Sequence, residues 1–336
     1  MKIISRTIKL IPVLFLVLGL TSCSDDDDNN DPGVQTTTVV DVALANNLTS
    51  LAAALQATDL VTTLQGPGPF TVFAPSNAAF DALLTATGLD LDNLSTAEEA
   101  LVKNILLNHV IIGANLGATE LIDAGSGYRN TAATGPNDAN LSIYFTTSNG
   151  VMLNGMSTVT SADNTATNGT VHIVDTVIDL PTIATFATAN LALGNLVAAL
   201  QLADSGTPTV NWINTVSGEE NANLAPFTVF APTNTAFENL LLELDPTGNT
   251  ALGDLDPALV NSVLTVHVVA SANVQSSQLA SLNGVIPTLG GDLALSGTTI
   301  TDDNDRAINI LAPDLVNIQA INGVVHAVDT VILPQL

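Results

Sequence analysis

Of all the residues in this 336-residue chain, four histidines are the natural candidates for proton transfer or metal binding, and all four fall in segments that occur twice. His109 lies in "ILLNHVI" (105–111) and His267 in "VLTVHVV" (263–269); His172 lies in "NGTVHIVDTVI" (168–178) and His326 in "NGVVHAVDTVI" (322–332). A histidine close to an aspartate is the pairing that a general base or a metal ligand uses. Here the spacing argues against it. His172 and Asp175, like His326 and Asp329, are three residues apart. Successive residues of a strand alternate faces, so the two side chains of each pair point to opposite sides. The expected role of all four histidines is structural, each hydrogen-bonded among Val, Ile and Leu. The sequence contains neither a G-x-S-x-G nucleophile elbow nor an H-E-x-x-H helix. Its only cysteine, Cys23, leaves no partner for an intramolecular disulfide. The acidic run Asp302–Asp305 lacks the alternate-residue spacing and glycine of an EF-hand loop and reads as a hairpin tip. No catalytic residue, metal or cofactor is expected.

The elements that must hold these histidines are legible in their surroundings. "PFTVFAPSNAAF" (69–80) returns as "PFTVFAPTNTAF" (226–237) with only Ser76/Thr233 and Ala78/Thr235 changed. The run from Phe70, or Phe227, is aromatic and β-branched and predicts a short strand. Pro75 or Pro232 ends it, and Ser76 or Thr233 offers an N-cap hydroxyl to a helix that buries Phe80, Leu83 and Leu84, or Phe237, Leu240 and Leu241. Ser95 with Glu98 forms a capping box, and Asp256 with Pro257 a cap and a first-turn proline, ahead of the helices that lead to His109 and His267. The Asn-Gly pairs at 168 and 322 open a final strand in each copy.

The three blocks recur in one order at offsets of 157, 158 and 154 residues, which means duplication of a whole domain. Hydrophobic residues make up 46% and charged residues 11% of the chain, a composition able to fill two packed cores. The second copy carries about 12 extra residues between Gln201 and Phe227, and they contain Trp212, the single tryptophan. That residue is either an exposed contact for a glycan or protein, which makes it a possible binding residue, or an anchor holding the insertion on its own domain.

The phrases "FTVFAP[ST]N.AF", "HVI" or "HVV" closing a helix, and "NG.VH.VD.VI" together resemble the fasciclin domain, in two copies spanning nearly all of residues 38–336. The resemblance implies an α+β fold, each domain a β-sandwich or β-wedge with a cluster of helices. It also implies use as an adhesion or matrix module at a cell surface. On this reading Phe70, Pro75, His109, His172 and Asp175, with Phe227, Pro232, His267, His326 and Asp329, are structural motif residues. Many members place a tyrosine before the histidine of the second block; Asn108 and Val266 stand there in this chain. The integrin-binding role attached to that tyrosine in animal members is therefore not carried over.

The start of the chain reads as an address. Lys2, Arg6 and Lys9 precede the apolar run 10–20 and then "LTSC" (20–23), which resembles the lipobox of bacterial lipoproteins. The resemblance implies cleavage before Cys23 and its lipidation. The run Ser24, Asp25, Asp26, Asp27, Asp28 then resembles the surface-export signal of Bacteroidota lipoproteins. The expected organisation is a signal peptide (1–22), an acidic tether (23–37) and two fasciclin domains (38–181 and 182–336). Past residue 22 only Lys103, Arg129 and Arg306 are basic, against 32 acidic residues, a net charge of −29. Such a chain repels phosphate, which excludes nucleic acid as a partner, and its contact with membrane must come from the lipid. The expected function is a lipid-anchored adhesion or matrix-interaction protein facing outward from the cell outer membrane, with a matrix, glycan or neighbouring-cell ligand. The alternative is an accessory enzyme or polysaccharide-binding component at the same surface.

Overall fold

A computed structural model describes residues 37–208 and 210–335. The first half opens with three helices, α1 (Val39–Ala45), α2 (Thr49–Ala57) and α3 (Val61–Gln65). Strand β1 (Phe70–Pro75), helices α4 (Asn77–Thr87) and α5 (Thr96–Asn108), strand β2 (Val110–Ile112) and helix α6 (Ala118–Ala124) follow. Five strands complete it: β3 (Ser126–Thr134), β4 (Asn140–Thr146), β5 (Met152–Leu153), β6 (Ser157–Ala166) and β7 (Gly169–Val174). These strands join in the order β2-β1-β7-β6-β5-β4-β3. The second half repeats the plan with α7 (Ile183–Ala189), α8 (Gly194–Asp204), α9 (Trp212–Ser217), β8 (Phe227–Pro232), α10 (Asn234–Leu244), α11 (Pro257–Thr265) and β9 (Val268–Val269). It then adds β10 (Val285–Thr288), β11 (Gly291–Ser296), β12 (Thr299–Thr301), β13 (Ala307–Asn309), β14 (Ile318–Ala320) and β15 (Gly323–Val328). Its strands form two sheets, β14-β15-β8-β9 and β10-β11-β12-β13. The architecture is α+β in both halves.

At the centre of each half lies a parallel pair, β1 with β7 and β8 with β15, whose register places His172 beside Phe73 and His326 beside Phe230. Every residue of β1 and β8 is buried. A strand buried on both faces needs a continuous apolar run, which "FTVFA" supplies. Alternation divides it between two cores. Phe70, Val72 and Ala74 pack under α1, α2, α4 and α5, while Phe73 faces Ile143, Phe145 and Ile178. Phe227 and Phe230 split the same way in the second half. The parallel pair meets tightly: a Cβ on Gly169 would lie 2.1 Å from the Phe70 carbonyl oxygen, and one on Gly323 2.2 Å from that of Phe227. Only glycine permits this approach.

The caps fall where the local chemistry places them. Ser76 and Thr233 cap α4 and α10, the Ser95–Glu98 box caps α5, and Asp256 caps α11 ahead of Pro257. Among the described residues no single helix is long and apolar enough to cross a membrane.

Candidate functional site

The four histidines are buried, with exposures of 2% or less. At the end of α5, His109 Nδ1 lies 2.8 Å from the Ile105 carbonyl oxygen, and its Nε2 accepts a hydrogen bond from the Ile178 amide at 2.8 Å. His267 repeats this with the Val263 carbonyl (2.8 Å) and the Ile332 amide (3.0 Å). An amide can only donate, so Nε2 is bare and Nδ1 carries the proton. The other pair has the opposite tautomer. His172 Nδ1 accepts from the Asp163 amide (3.3 Å) and its Nε2 donates to the Leu116 carbonyl (2.8 Å). His326 accepts from Asn317 (3.2 Å) and donates to Val274 (2.8 Å). Each ring is saturated in its neutral form, and protonation would aim a second N–H at an amide. Burial accordingly pushes His109 and His267 down to about 4 and lowers His326. The rings of His172 and His326 also stack on Phe73 and Phe230, at 5.6 and 5.9 Å between centroids.

The aspartates are spent elsewhere. Exposed Asp175 accepts from the Thr158 amide at 2.8 Å, and Asp329 takes both the amide and the side chain of Asn309 at 2.9 Å. Each pins a neighbouring strand, and neither is a hydrogen-bond partner of its histidine. Among the described residues no cluster of His, Cys, Asp and Glu could hold a metal ion. Asp302, at the β12–β13 hairpin, is a buried clamp rather than a cation loop: it accepts from the Asn304, Arg306 and Leu333 amides and pairs with Arg306 at 3.1 Å.

Of the two roles the sequence left open for Trp212, exposed binding residue or anchor of the insertion, the structure corrects the first and matches the second: the side chain is 1% exposed and belongs to the core of the second half. Its indole N–H donates to Asn261 Oδ1 at 2.8 Å, and Asp204 accepts from its own amide and that of Ile213. The insertion folds inward as α9 because its one large side chain is worth more buried than exposed. Cys23, Ser24 and Asp25–Asp28 lie outside the described residues.

Several residues with a structural role carry no composition signal. The Asn168 side chain accepts from the Val39 amide and donates to the Leu64 and Gly66 carbonyls. Asn322 bridges Ile183 and Val216 in the same manner. Thr71 and Thr228 clamp the loops at 114–116 and 272–274. Exact repetition of these polar residues between the copies is the one sequence signal that could have found them.

The two halves meet through a buried face. Tyr144 enters the core of the second half, and Tyr128 packs against Tyr144 with the rings tilted 48° at 4.9 Å and meets Phe186 edge-on at 5.5 Å. Burial raises the Tyr128 hydroxyl, which accepts from Asn190 at 3.2 Å. Ser142 accepts from the Gln319 amide at 3.0 Å, and Pro181 from that of Ile321 at 2.8 Å. Beside this contact opens a polar cleft of about 670 Å3, with Arg129, Asn130 and Ser142 on one wall and Asp314 and Asn317 on the other.

These features define a class: a duplicated α+β module whose motif residues are consumed in holding the fold. The fasciclin-domain model matches residues 46–181 and 198–334, and the chain belongs to that family. It is 28% identical over 283 residues to transforming growth factor-beta-induced protein ig-h3 of Sus scrofa, a match covering 81% of this chain and 35% of that one. One domain's length matches protein sll1483 of Synechocystis at 39% identity, covering 42% of this chain and 72% of that protein. Cell surface glycolipoprotein MPB83 of Mycobacterium bovis is 34% identical over 45% of this chain and 60% of its own length. The chain thus spans about a third of the pig relative. A solved FAS1 domain pair from the insect cell adhesion molecule fasciclin I aligns at a TM-score of 0.46 and 18% identity, covering 88% of this chain and 94% of that one.

Proposed function

We propose that this chain is a bacterial, Bacteroidota-type surface lipoprotein whose two fasciclin domains, 38–181 and 182–336, mediate adhesion to a matrix, glycan or neighbouring-cell ligand. The observation that carries the adhesive reading is the use of all four histidines and both repeated aspartates in backbone hydrogen bonds, which makes the motif a rigid frame for each domain's surface rather than a reacting group. The cleft between the halves is the candidate contact surface for a polar ligand. The lipid anchor rests on "LTSC" and on the acidic run behind it, and it agrees with the surface lipoprotein named among the relatives. Several acyl chains hold a protein on a membrane where one does so only marginally. Replacing Cys23 by Ser should therefore release the protein to the soluble fraction, and retention after a high-salt wash overturns the anchor. Cells displaying the full chain should attach to matrix-coated or glycan-coated surfaces better than cells displaying either domain alone, through avidity. Equal attachment by cells lacking the protein overturns the adhesive reading.

A further inference from the structure

The second domain carries an apolar groove between α10, α11 and the end of the chain. Its walls include Leu240, Leu241 and Leu244 on one side, Leu255 and Leu259 on the other, and Leu333 at one end; every lining side chain is apolar. The slot at its base measures about 50 Å3, room for about four non-hydrogen atoms, which is the size of one leucine side chain. Leu244 and Leu259 stand at its lip, 52% and 40% exposed. The repeat offsets place Thr87 opposite Leu244 and Asp179 opposite Leu333 in the first copy. At the other lip position both copies are apolar, Leu101 standing opposite Leu259, so the second copy differs from the first at Leu244 and Leu333.

The rim is acidic. From Phe237 to Val263 there are five carboxylates and no lysine or arginine. Asp256 is fixed by the Ala258 and Leu259 amides, and Asp254 by the Ala251 amide. Asp245, at the end of α10, is held down to about 2 chiefly by Thr247 and so stays charged. Arg306, the single cation of residues 182–336, is engaged by Asp302 at 3.1 Å, by Glu243 at 3.2 Å and by the Val331 carbonyl. The groove is therefore apolar at its base, negative at its edge, and has no lysine or arginine to offer an anionic guest.

We propose that this groove docks a basic amphipathic segment of a partner protein, one aliphatic side chain filling the slot and lysine or arginine side chains meeting the carboxylate rim. A second copy of this acidic chain, or an anionic lipid surface, would bring like charge to the same rim. The inference rests on the adhesive reading only for the source of the partner, since it names the partner's chemistry and not its location.

The test uses the full chain carrying Cys23→Ser, kept free of detergent, with a synthetic leucine-lysine amphipathic helix as probe. Binding is expected to weaken with salt and to fall about tenfold in Leu259→Lys. The control is Leu101→Lys, which adds the same charge at the matching, 45% exposed position of the first domain and should leave binding unchanged. Thermal melts of both variants check that the fold persists. Equal weakening by the two variants would show general attraction to an acidic chain and overturn the proposal. So would equal binding of a leucine-glutamate helix, or binding to phosphatidylglycerol vesicles that Leu259→Lys does not reduce. None of these outcomes depends on cell attachment, so the groove and the adhesive reading fail separately.

Discussion

A histidine buried neutral ties stability to pH, and the sign follows from its two ends. In the unfolded chain His109 and His267 titrate near 6.5, and in the fold near 4. Between those values the unfolded state binds more protons, so stability is full above about 6.5, declines as pH falls, and levels off for these groups below about 4. The expected loss from pH 7 to pH 5 is about 2 kcal/mol per site. Urea unfolding at the two pH values checks it. In His109→Gln the fall should shrink by about one site's share, which separates the histidine from the carboxylates that also titrate. Trp212 yields a second prediction. Its side chain is enclosed and its indole N–H has a partner in Asn261. Trp212→Phe leaves that acceptor unpaired and should cost about 1–3 kcal/mol, whereas Trp212→Ala should cost about 3–5 kcal/mol through the cavity it opens. Denaturant midpoints of both variants rank them. If Trp212→Ala were neutral in stability, the core placement would fail.

At the scale of the element, the parallel pair at the centre of each domain joins segments about a hundred residues apart, and a side-chain clamp secures each junction. Asn168 ties the β6–β7 turn to α1 and the end of α3, and Asn322 ties the β14–β15 turn to α7 and α9. Asn168→Ala should cost about 1–3 kcal/mol by orphaning buried backbone groups. It should also raise hydrogen exchange in α1 before the rest of the domain, a local effect that a general loss of packing would not give. The central strands and capped helices were legible in the sequence because periodicity, prolines and cap residues are local signals. "FTVFAPSN" shows strand, stop and helix start within eight residues. The clamps were not legible, because the residues that Asn168 and Thr71 bond lie 43 to 129 positions away. The inward turn of α9 was equally hidden. A lone tryptophan has the same composition whether it faces solvent or core, and only the positions of Asn261 and Asp204 decide between them.

For the molecule as a whole, the decisive contact lies outside the three closely matched sequence blocks. Tyr128, Tyr144 and Phe186 have no counterparts in the duplicated blocks, yet they join the halves, and Tyr144 shares the second domain's core. A duplicated pair with a flexible linker would melt as two independent units. Here a Tyr-Tyr-Phe cluster, the Ser142–Gln319 hydrogen bond and the Pro181–Ile321 bond couple them. Aromatic contacts of this kind contribute about 0.5–1.5 kcal/mol each beyond the area they bury, and the coupling should be enough to make unfolding cooperative across the pair. Calorimetry of the native chain should then show one transition whose van't Hoff and calorimetric enthalpies agree. The double variant Tyr128→Ala with Ser142→Ala removes side chains from the junction and leaves the histidine and asparagine clamps of both domains in place. Its melt should split into two transitions, each with roughly half the native enthalpy. The same variant should weaken any ligand held in the cleft, because it removes the Tyr128 and Ser142 side chains that line it and frees the Arg129 wall to move relative to Asp314 and Asn317. A single undivided transition in the variant would mean that the halves are coupled through the main chain at Pro181 rather than through the aromatic contact.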